Sequence, residues 1–383
     1  MNWFKRIALA LSLPLAFAAD ANPAHAAADI FSFIGNVNAT GYANPVATFN
    51  PGGVSCQLGN SSLIDPFGCL VRINGARSIT ISIALPAGLQ IIRWGGLCAP
   101  AGTATSAVIG VPANEDEMPS CSVTIGPMPA AAPQTGWWWA QAESGSGYAI
   151  AVNGDDRMFI ALFGYRDNGQ PLWRIANAAR AASTNTARIY RGTLQEIAGG
   201  GTLAGGEPGN AQPVNASIEL TATFSASAIN YPAPTTGTLT LRNTATNATE
   251  SKVIRRFPIN GSTVAATPAN ALWTGWYWNP NQPGVGYFVE QQGSNAFVGT
   301  FAYDTTGAPI WYISSAGVVP TAGGYQLNAP LNSFTGGSPF GARPPVNTPT
   351  PIAAGTMISN LTQAGAALQL STGRTIVLSP FNW

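Results

Sequence analysis

The stretch that decides the fold is TGWWWAQAESGSGYAIAVNG at residues 135–154, because it recurs at residues 274–293 as TGWYWNPNQPGVGYFVEQQG. The likeness continues at nearly constant spacing, through MFIALFGYRDNGQPLWRIANA at 158–178 and AFVGTFAYDTTGAPIWYISSA at 296–316. Self-similarity over such a length indicates two copies of one structural unit. We place the first repeat at residues 135–258 and the second at residues 272–383.

Each repeat is predicted to be a β-barrel. The second repeat contains eight short segments with strand composition and no helical period, and Gly-containing turns separate several of them. The segments are GWYWN, GYFVEQQ, NAFVGTFAYD, PIWYISSAGVV, GGYQLNAP, AGTMISNLT, GAALQLST and RTIVLSPF. Consecutive short strands favour an antiparallel meander, and closing the meander into a barrel removes its exposed edges. The Pro-rich residues 338–353 are expected to form a long loop.

Alternation along the strands predicts which aromatic side chains share a face, because successive side chains of a strand point to opposite sides. We expect the aromatic residues common to both copies to fill the interior of each barrel. On the third strand of repeat one the opposite face is also apolar, at Ile160 and Leu162, so the outer face of that barrel is expected to pack on a neighbouring domain. The expected interior residues are Trp137, Trp139, Phe159, Phe163, Tyr165 and Trp173, with Trp276, Trp278, Phe297, Phe301, Tyr303 and Trp311 in the second copy.

The first residues have the pattern of a secretion signal, which we place at 1–26. Lys5 and Arg6 form a basic region, residues 7–19 form an apolar run too short to span a bilayer, and residues 24–26 read Ala-His-Ala. The mature chain is expected to start at Ala27 or one residue later. The predicted destination is the periplasm, the cell surface or the medium of a bacterium, with no membrane span in the mature chain.

Residues 28–126 are predicted to be a separate β module with alternating strands. All four cysteines lie in it, and an even count in an exported chain indicates disulfides. Of the three possible pairings, Cys56 with Cys69 and Cys98 with Cys121 closes short loops and is preferred. A zinc site is disfavoured because the spacings are wide and no histidine is available. Two connectors are expected, an exposed Pro/Ala linker at 127–134 and a second at 259–271.

Charge excludes several functions. Loss of Lys5, Arg6 and Asp20 with the signal leaves 15 basic and 15 acidic residues, so the mature chain is neutral and has no footprint for nucleic acid. The only histidine, His25, also leaves, which removes Ser-His-Asp and Cys-His catalysis. We therefore predict a non-enzymatic protein with no cofactor and no metal site. Lys252 is the sole lysine of the mature chain.

The repeats resemble a tandem element of secreted bacterial proteins that opens with GWWWNPxESGxGF and continues FxxWFxYDxxGxPxWY. Repeat one keeps Glu143-Ser144-Gly145 of this motif, and repeat two keeps Asn279-Pro280. Neither copy carries the whole motif. The family has no assigned activity, so the resemblance implies export and a repeated β fold.

The N-terminal module resembles the divergent internalin-type bacterial repeat, a small extracellular β module. In that family a GxxC segment precedes a GWxGxC stretch and a closing CxVT. The insert between the last two cysteines is longer here than in the family. The resemblance implies surface display or adhesion, and it is carried by Cys56, Cys69, Trp94, Gly95, Cys98 and Cys121.

The function favoured by the sequence is non-catalytic binding of a carbohydrate or a small apolar ligand through exposed aromatic rings. One alternative is a structural or adhesive surface protein without a small-molecule site. Another is a carboxylate-dependent glycoside hydrolase that pairs Glu143 with Asp167, or Glu290 with Asp304. The oligomeric state is left open. The candidate ligand-binding residues are Trp138, Tyr148, Tyr277, Tyr287, Asn279, Glu143 and Glu290.

Overall fold

The computed structural model describes most of the chain after residue 29. The predicted signal segment, residues 262–271 of the second connector and residues 272–273 at the start of the second repeat lie outside the described residues. Among the residues that are described, there is no helix with the length and apolar character that a membrane crossing requires. The described ranges are 30–39, 42–51, 53–59, 69–72, 78–111, 119–128, 130–143, 145–184, 186–205, 210–225, 235–261, 274–339, 347–362 and 364–383.

The chain divides into two compact units after Met128. The described part of the first unit contains two four-stranded sheets with strand orders β4-β1-β8-β6 and β3-β2-β5-β7, so the predicted sandwich-like module is confirmed. Pairing is antiparallel except between β1 and β8, which run parallel. The elements are β1 (Ile30–Val37), β2 (Val46–Asn50), β3 (Ser55–Gln57), β4 (Cys69–Arg72), β5 (Ser78–Ala84), β6 (Leu89–Gly96), a 3-10 helix (Ala99–Ala101), β7 (Ser106–Gly110) and β8 (Ser120–Pro127).

The core of this first unit lies between the two sheets, because each strand turns alternate apolar side chains inward. Phe33 of β1 and Phe49 of β2 meet edge to face with centroids 5.3 Å apart. The predicted disulfide pairing is confirmed. The bond between Cys56 and Cys69 links the two sheets, with 6.3 Å between the Cα atoms, and the bond between Cys98 and Cys121 joins the end of β6 to β8.

The second unit contains both repeats, and each forms a closed antiparallel barrel of eight strands in the described residues. Neighbouring strands follow one another along the chain, which is the predicted meander. The first barrel consists of β9 (Gly136–Trp139), β10 (Gly147–Val152), β11 (Arg157–Tyr165), β12 (Pro171–Ser183), β13 (Ala187–Ala198), β14 (Gln212–Ser225), β15 (Thr236–Asn243) and β16 (Thr249–Arg256), and a 3-10 helix (Ile259–Gly261) follows it.

The eight strands predicted for the second repeat are all present, but β21 and β22 extend further than expected. Residues 350–353, which we expected in a Pro-rich loop, belong to β22, and their pairing with β21 explains the difference. The strands are β17 (Gly275–Trp278), β18 (Gly286–Gln292), β19 (Asn295–Tyr303), β20 (Pro309–Thr321), β21 (Gly324–Thr335), β22 (Thr350–Thr362), β23 (Gly365–Leu370) and β24 (Thr375–Pro380).

The barrel interiors are filled by the opposite strand faces from those we predicted. In the first barrel, Trp138, Ile160 and Leu162 belong to the interior cluster. In the second, Tyr277 and Val298 occupy the equivalent positions. The shared aromatic residues lie outside both interiors, so the predicted assignment is wrong. The physical reason is that both faces of these strands are apolar, and alternation then identifies two faces without telling which one is enclosed.

Ten of the twelve shared aromatic residues instead belong to one cluster at the junction of the two barrels, and the other two, Trp139 and Trp278, contact Phe257 and Phe381 at its edge. Two hydrogen bonds show the symmetry of this junction. The Trp173 indole N–H donates to the carbonyl of Ala302 at 3.0 Å, and Trp311 donates to the carbonyl of Gly164 at 3.1 Å. Because Trp173 and Gly164 are the repeat equivalents of Trp311 and Ala302, the contact is reciprocal, as in an isologous dimer. The expectation that the outer face of the first barrel is covered is confirmed, because the second barrel packs on it. The covered face carries the shared aromatic residues, and Ile160 and Leu162 lie in the interior instead.

The described residues of the predicted Pro/Ala linker are not fully exposed. Ala130 is buried, and its N–H donates to the carbonyl of Thr184 at 2.9 Å. Pro133 is also buried, and the carbonyl of Gln134 accepts the Trp138 indole N–H at 3.1 Å. These hydrogen bonds hold residues 130–134 against the first barrel.

Candidate functional site

Several cavities open at the junction of the barrels, and two of them are related by the repeat; the larger of this pair encloses about 500 Å³. Among its described lining residues, eight of fifteen are aromatic. The first barrel contributes the Trp triplet of β9, and the second contributes Phe297 of β19 and Trp311 of β20. Neither repeat alone supplies both walls. A volume of this size lies within the range typical of small-molecule sites, about 300–1,000 Å³.

The smaller cavity, about 180 Å³, is the repeat equivalent of the larger one. Here β17 of the second barrel supplies the aromatic triplet, while β11 and β12 of the first barrel supply the opposite wall. The junction therefore holds a pseudo-symmetric pair of sites. The matched wall residues, with the larger cavity first, are Trp137 and Trp276, Trp138 and Tyr277, Trp139 and Trp278, Phe297 and Phe159, Trp311 and Trp173, and Phe257 and Phe381.

The aromatic wall of the large cavity is held by ring contacts in edge geometry. Trp137 meets Phe297 and Phe288 with centroids 4.9 Å apart in each case, and Trp139 meets Phe257 at 5.5 Å. Trp311 stacks on Phe334 at 5.1 Å. Such pairs fix ring orientation more closely than aliphatic packing does. The wall is therefore preformed rather than assembled by a ligand.

Three of the four indole donors in this wall have partners, and one of them is the Trp138 ring N–H, which donates to the carbonyl of Gln134 at 3.1 Å. The ring N–H of Trp137 donates to the carbonyl of Phe297 at 3.3 Å, and the ring N–H of Trp311 donates to the carbonyl of Gly164. The cavity therefore offers aromatic surface with few free hydrogen-bonding groups. Its polar side chains are Gln141, Glu143 and Ser146, all from the loop between β9 and β10.

Glu143 belongs to a polar cluster inside the mouth of the first barrel. Its Oε1 lies 2.6 Å from Lys252 Nζ, and Glu250 Oε1 lies 3.0 Å from the same ammonium group. The Lys252 side chain is only 5% exposed. Burial raises the pKa of Tyr148, and the nearby Glu143 and Glu250 carboxylates raise it further. Tyr148 therefore stays a neutral donor, and it hydrogen-bonds Glu143.

A second buried ion pair joins the barrels beneath the aromatic wall. Arg256, the last residue of β16, forms a two-point pair with Glu290 of β18, and both side chains are almost fully buried. Glu290 also accepts the backbone N–H of Trp137 at 2.5 Å and the side-chain amide of Gln292 at 2.8 Å. With this many partners, the carboxylate of Glu290 is engaged in holding the junction.

The four aromatic residues expected to present exposed rings are buried, so that part of the prediction is wrong. Trp138 and Tyr148 lie inside the first barrel, and Tyr277 and Tyr287 lie inside the second. Burial raises the pKa of Tyr277 and of Tyr287 above the ordinary range, and the Tyr287 hydroxyl donates to Gln282 at 3.1 Å. These residues fill the barrel interiors, although Trp138 and Tyr277 also reach the cavity walls.

Of the remaining candidate residues, one lines the large cavity and the others stabilise turns. Glu143 lines the large cavity. The Asn279 carboxamide accepts the N–H of Asn281 at 2.8 Å and so shapes its turn. Desolvation alone would raise the pKa of Asp304, but hydrogen bonds from Thr306 and Ala308 outweigh it and lower that pKa. Asp304 thus supports the turn after β19.

Several cavity residues were not singled out from the sequence as binding candidates. Trp137, Trp139 and Phe297 were assigned to a core, while Phe257, Phe334 and Pro349 carried no prediction. The repeat alignment contained one usable signal. Most aromatic residues that are identical in the two copies meet across the junction, whereas the interior position at Trp138 and Tyr277 differs; Tyr148 and Tyr287 are identical although they lie inside the barrels.

Within the described ranges, no group of three or more Asp, Glu, His or Cys side chains is arranged to hold a metal ion. Comparison of the chain with protein-family models, with curated proteins and with solved structures gives no match. The geometry of the junction is therefore the basis on which a function is inferred.

Proposed function

We propose that this protein is exported and binds a small, largely apolar ligand in the large cavity between its two barrels, without catalysing a reaction. The observation that supports this most is the cavity itself, about 500 Å³ with aromatic walls contributed by both repeats. The two disulfides in the first unit suit an oxidising compartment, which agrees with export by residues 1–26.

An apolar ligand is favoured over a carbohydrate by the polar groups available. A sugar ring carries a hydroxyl on most of its carbons, and each one removed from water needs a hydrogen-bond partner. The lining offers Gln141, Glu143 and Ser146, while the Trp137 and Trp311 ring donors are already bonded. A flat apolar body with one polar end fits this arrangement.

Non-catalytic binding is favoured because the carboxylates proposed for hydrolysis have other partners. Glu290 is paired with Arg256, and Asp304 accepts three hydrogen bonds within its turn. Glu143 is paired with Lys252. A purely structural or adhesive role does not require a cavity of this size to remain open at the junction.

The proposal is tested by titrating the full mature protein with small aromatic compounds and with oligosaccharides, using tryptophan fluorescence and calorimetry. The variant Trp139→Ala removes a wall of the large cavity, and Trp278→Ala makes the same change at the equivalent place in the small cavity. We expect saturable binding of the aromatic compounds, weakened at least about tenfold by Trp139→Ala and unchanged by Trp278→Ala.

Three results would overturn the proposal. Binding lost only in Trp278→Ala would place the ligand in the small cavity. Binding of oligosaccharides alone would replace the apolar ligand with a sugar. Absence of saturable binding for every compound, with folding intact by circular dichroism, would favour the structural or adhesive role.

A further inference from the structure

The two equivalent cavities differ in charge, and this difference identifies a ligand class. Glu143 is the sole acidic or basic side chain among the described residues that line the large cavity. At the equivalent position the second repeat has Gln282, which is buried against Tyr287 and does not line the small cavity. The described lining of the small cavity contains no acidic or basic side chain.

The charge around Glu143 is not fully neutralised. Glu143 and Glu250 share a single cation, Lys252, so the cluster has one more negative charge than positive. The neighbouring phenol of Tyr148 is neutral. Arg256, whose guanidinium lies 5.7 Å from the Trp138 ring centroid, is neutralised by Glu290. The excess negative charge is therefore shared between Glu143, which lines the largely apolar cavity, and Glu250, which is 38% exposed and is not among the described lining residues.

The negative charge of Glu143 favours a cationic ligand, and the aromatic walls of the cavity favour one as well. The face of an aromatic ring carries negative potential, and cations are attracted to Trp faces most strongly. In a partly enclosed site of low polarity, both attractions are stronger than in water. An anionic ligand would be repelled by the same groups, and a neutral ligand would gain only burial.

We propose that the large cavity binds a small organic cation with an apolar body, such as an alkylated or aryl ammonium compound. This inference depends on the proposed function, because it names the ligand class of the same cavity. Glu143 supplies the charge, the Trp137 and Trp139 rings supply the apolar contact, and the shared Lys252 holds the Glu143 carboxylate in place.

The test compares phenyltrimethylammonium with tert-butylbenzene, its neutral isostere, by calorimetry on the full mature protein at fixed salt. We expect the cation to bind at least about tenfold more tightly, which corresponds to about 1.4 kcal/mol. Glu143→Gln should reduce this preference several-fold while leaving tert-butylbenzene binding unchanged. Glu219→Gln is the control, because Glu219 forms an exposed pair with Arg242 elsewhere on the first barrel.

Each outcome decides between the two proposals. Equal binding of both compounds in the wild-type protein would overturn the cation assignment and leave the apolar-ligand proposal standing. Binding of neither compound would contradict the proposed function itself. Tighter binding of the cation that Glu143→Gln leaves unaltered would overturn the role of Glu143. The wild-type comparison remains informative if the Glu143 variant folds poorly.

Discussion

The junction of the barrels predicts a large loss of stability when Trp137 is replaced by Ala. Trp137 is 2% exposed and packs on rings of both barrels, including Phe163, Phe288 and Phe297. Burying about 150–250 Å² of aromatic surface at about 25 cal/mol per Å² is worth about 4–6 kcal/mol. Measured Trp and Phe truncations in protein cores cost about 3–5 kcal/mol. We therefore expect Trp137→Ala to lower the free energy of unfolding by about 3–5 kcal/mol.

The assay is urea unfolding of the mature protein, followed by near-ultraviolet circular dichroism and by the fluorescence of the remaining Trp residues. Trp278→Ala serves as the control, because this ring is 40% exposed and should cost less than half as much. A fall in the free energy of unfolding of less than about 1 kcal/mol for Trp137→Ala would refute the packing argument, since truncation of a well-packed buried Trp destabilises a protein by more than this.

A second substitution sharpens the test. A Cβ placed on Gly299 of β19 would collide with the Trp137 ring, so Gly299→Ala should cost about 1–3 kcal/mol by overpacking. In the Trp137→Ala background the added methyl group meets empty space, and most of that cost should vanish. Gly317→Ala, whose Cβ would make ordinary contacts, is the control. Costs that add within about 0.5 kcal/mol would show that the two residues do not meet.

Three further predictions concern the ion pair, the buried tyrosines and the disulfides. Glu290→Ala should lower stability by about 3–5 kcal/mol by leaving Arg256 buried without its partner, and urea unfolding that shows less than about 1 kcal/mol would contradict this. Stability should be constant up to about pH 9 and fall above about pH 10, because the unfolded tyrosines then lose protons that the folded ones retain; a thermal midpoint unchanged at pH 11 would count against it. Replacing Cys98 and Cys121 by Ala should destabilise the first unit by about 2–4 kcal/mol in calorimetry, and an unchanged transition would oppose this. The tyrosines whose pKa burial raises in this way are Tyr148, Tyr165, Tyr190, Tyr277, Tyr287, Tyr303 and Tyr312.

Much of the fold could be predicted from the sequence because the repeat and the turn residues are local signals. The eight strands of the second barrel follow from short apolar runs separated by Gly turns, such as the one at Gly293 with φ near +57°. The disulfide pairing followed from loop length. These features are determined by residues close together in the chain, so they can be recognised in a single sequence.

The enclosed face of each barrel could not be predicted, because it depends on contacts between distant repeats. The triplet Trp137-Trp138-Trp139 is aromatic on both faces of the strand. Because neither face is polar, the alternation of side chains does not show which face lies inside the barrel. In an isologous junction each copy meets the other through the same residues, which keeps Phe163 and Phe301 alike. Interior positions contact only their own barrel and can diverge, as Leu162 and Thr300 do.

The candidate site was missed for the same reason. Its walls come from residues distant in the chain, such as Trp137 and Phe297, which are 160 positions apart. The backbone carbonyl of Phe297 accepts the Trp137 ring N–H at 3.3 Å. Glu143 was identified as a candidate because it is one of the few acidic residues of the repeats and could form a carboxylate pair with Asp167. Its partner Lys252 was recognised only as the sole lysine of the mature chain, and its buried position shows why that one residue matters.

The most direct test of the central claim is a crystal structure of the mature protein grown with phenyltrimethylammonium. The account predicts the ligand in the large cavity, with its ring against Trp139 and Phe297 and its ammonium group toward Glu143. A ligand found inside either barrel, in the small cavity or outside the junction would contradict the account, and so would a large cavity left empty at saturating ligand.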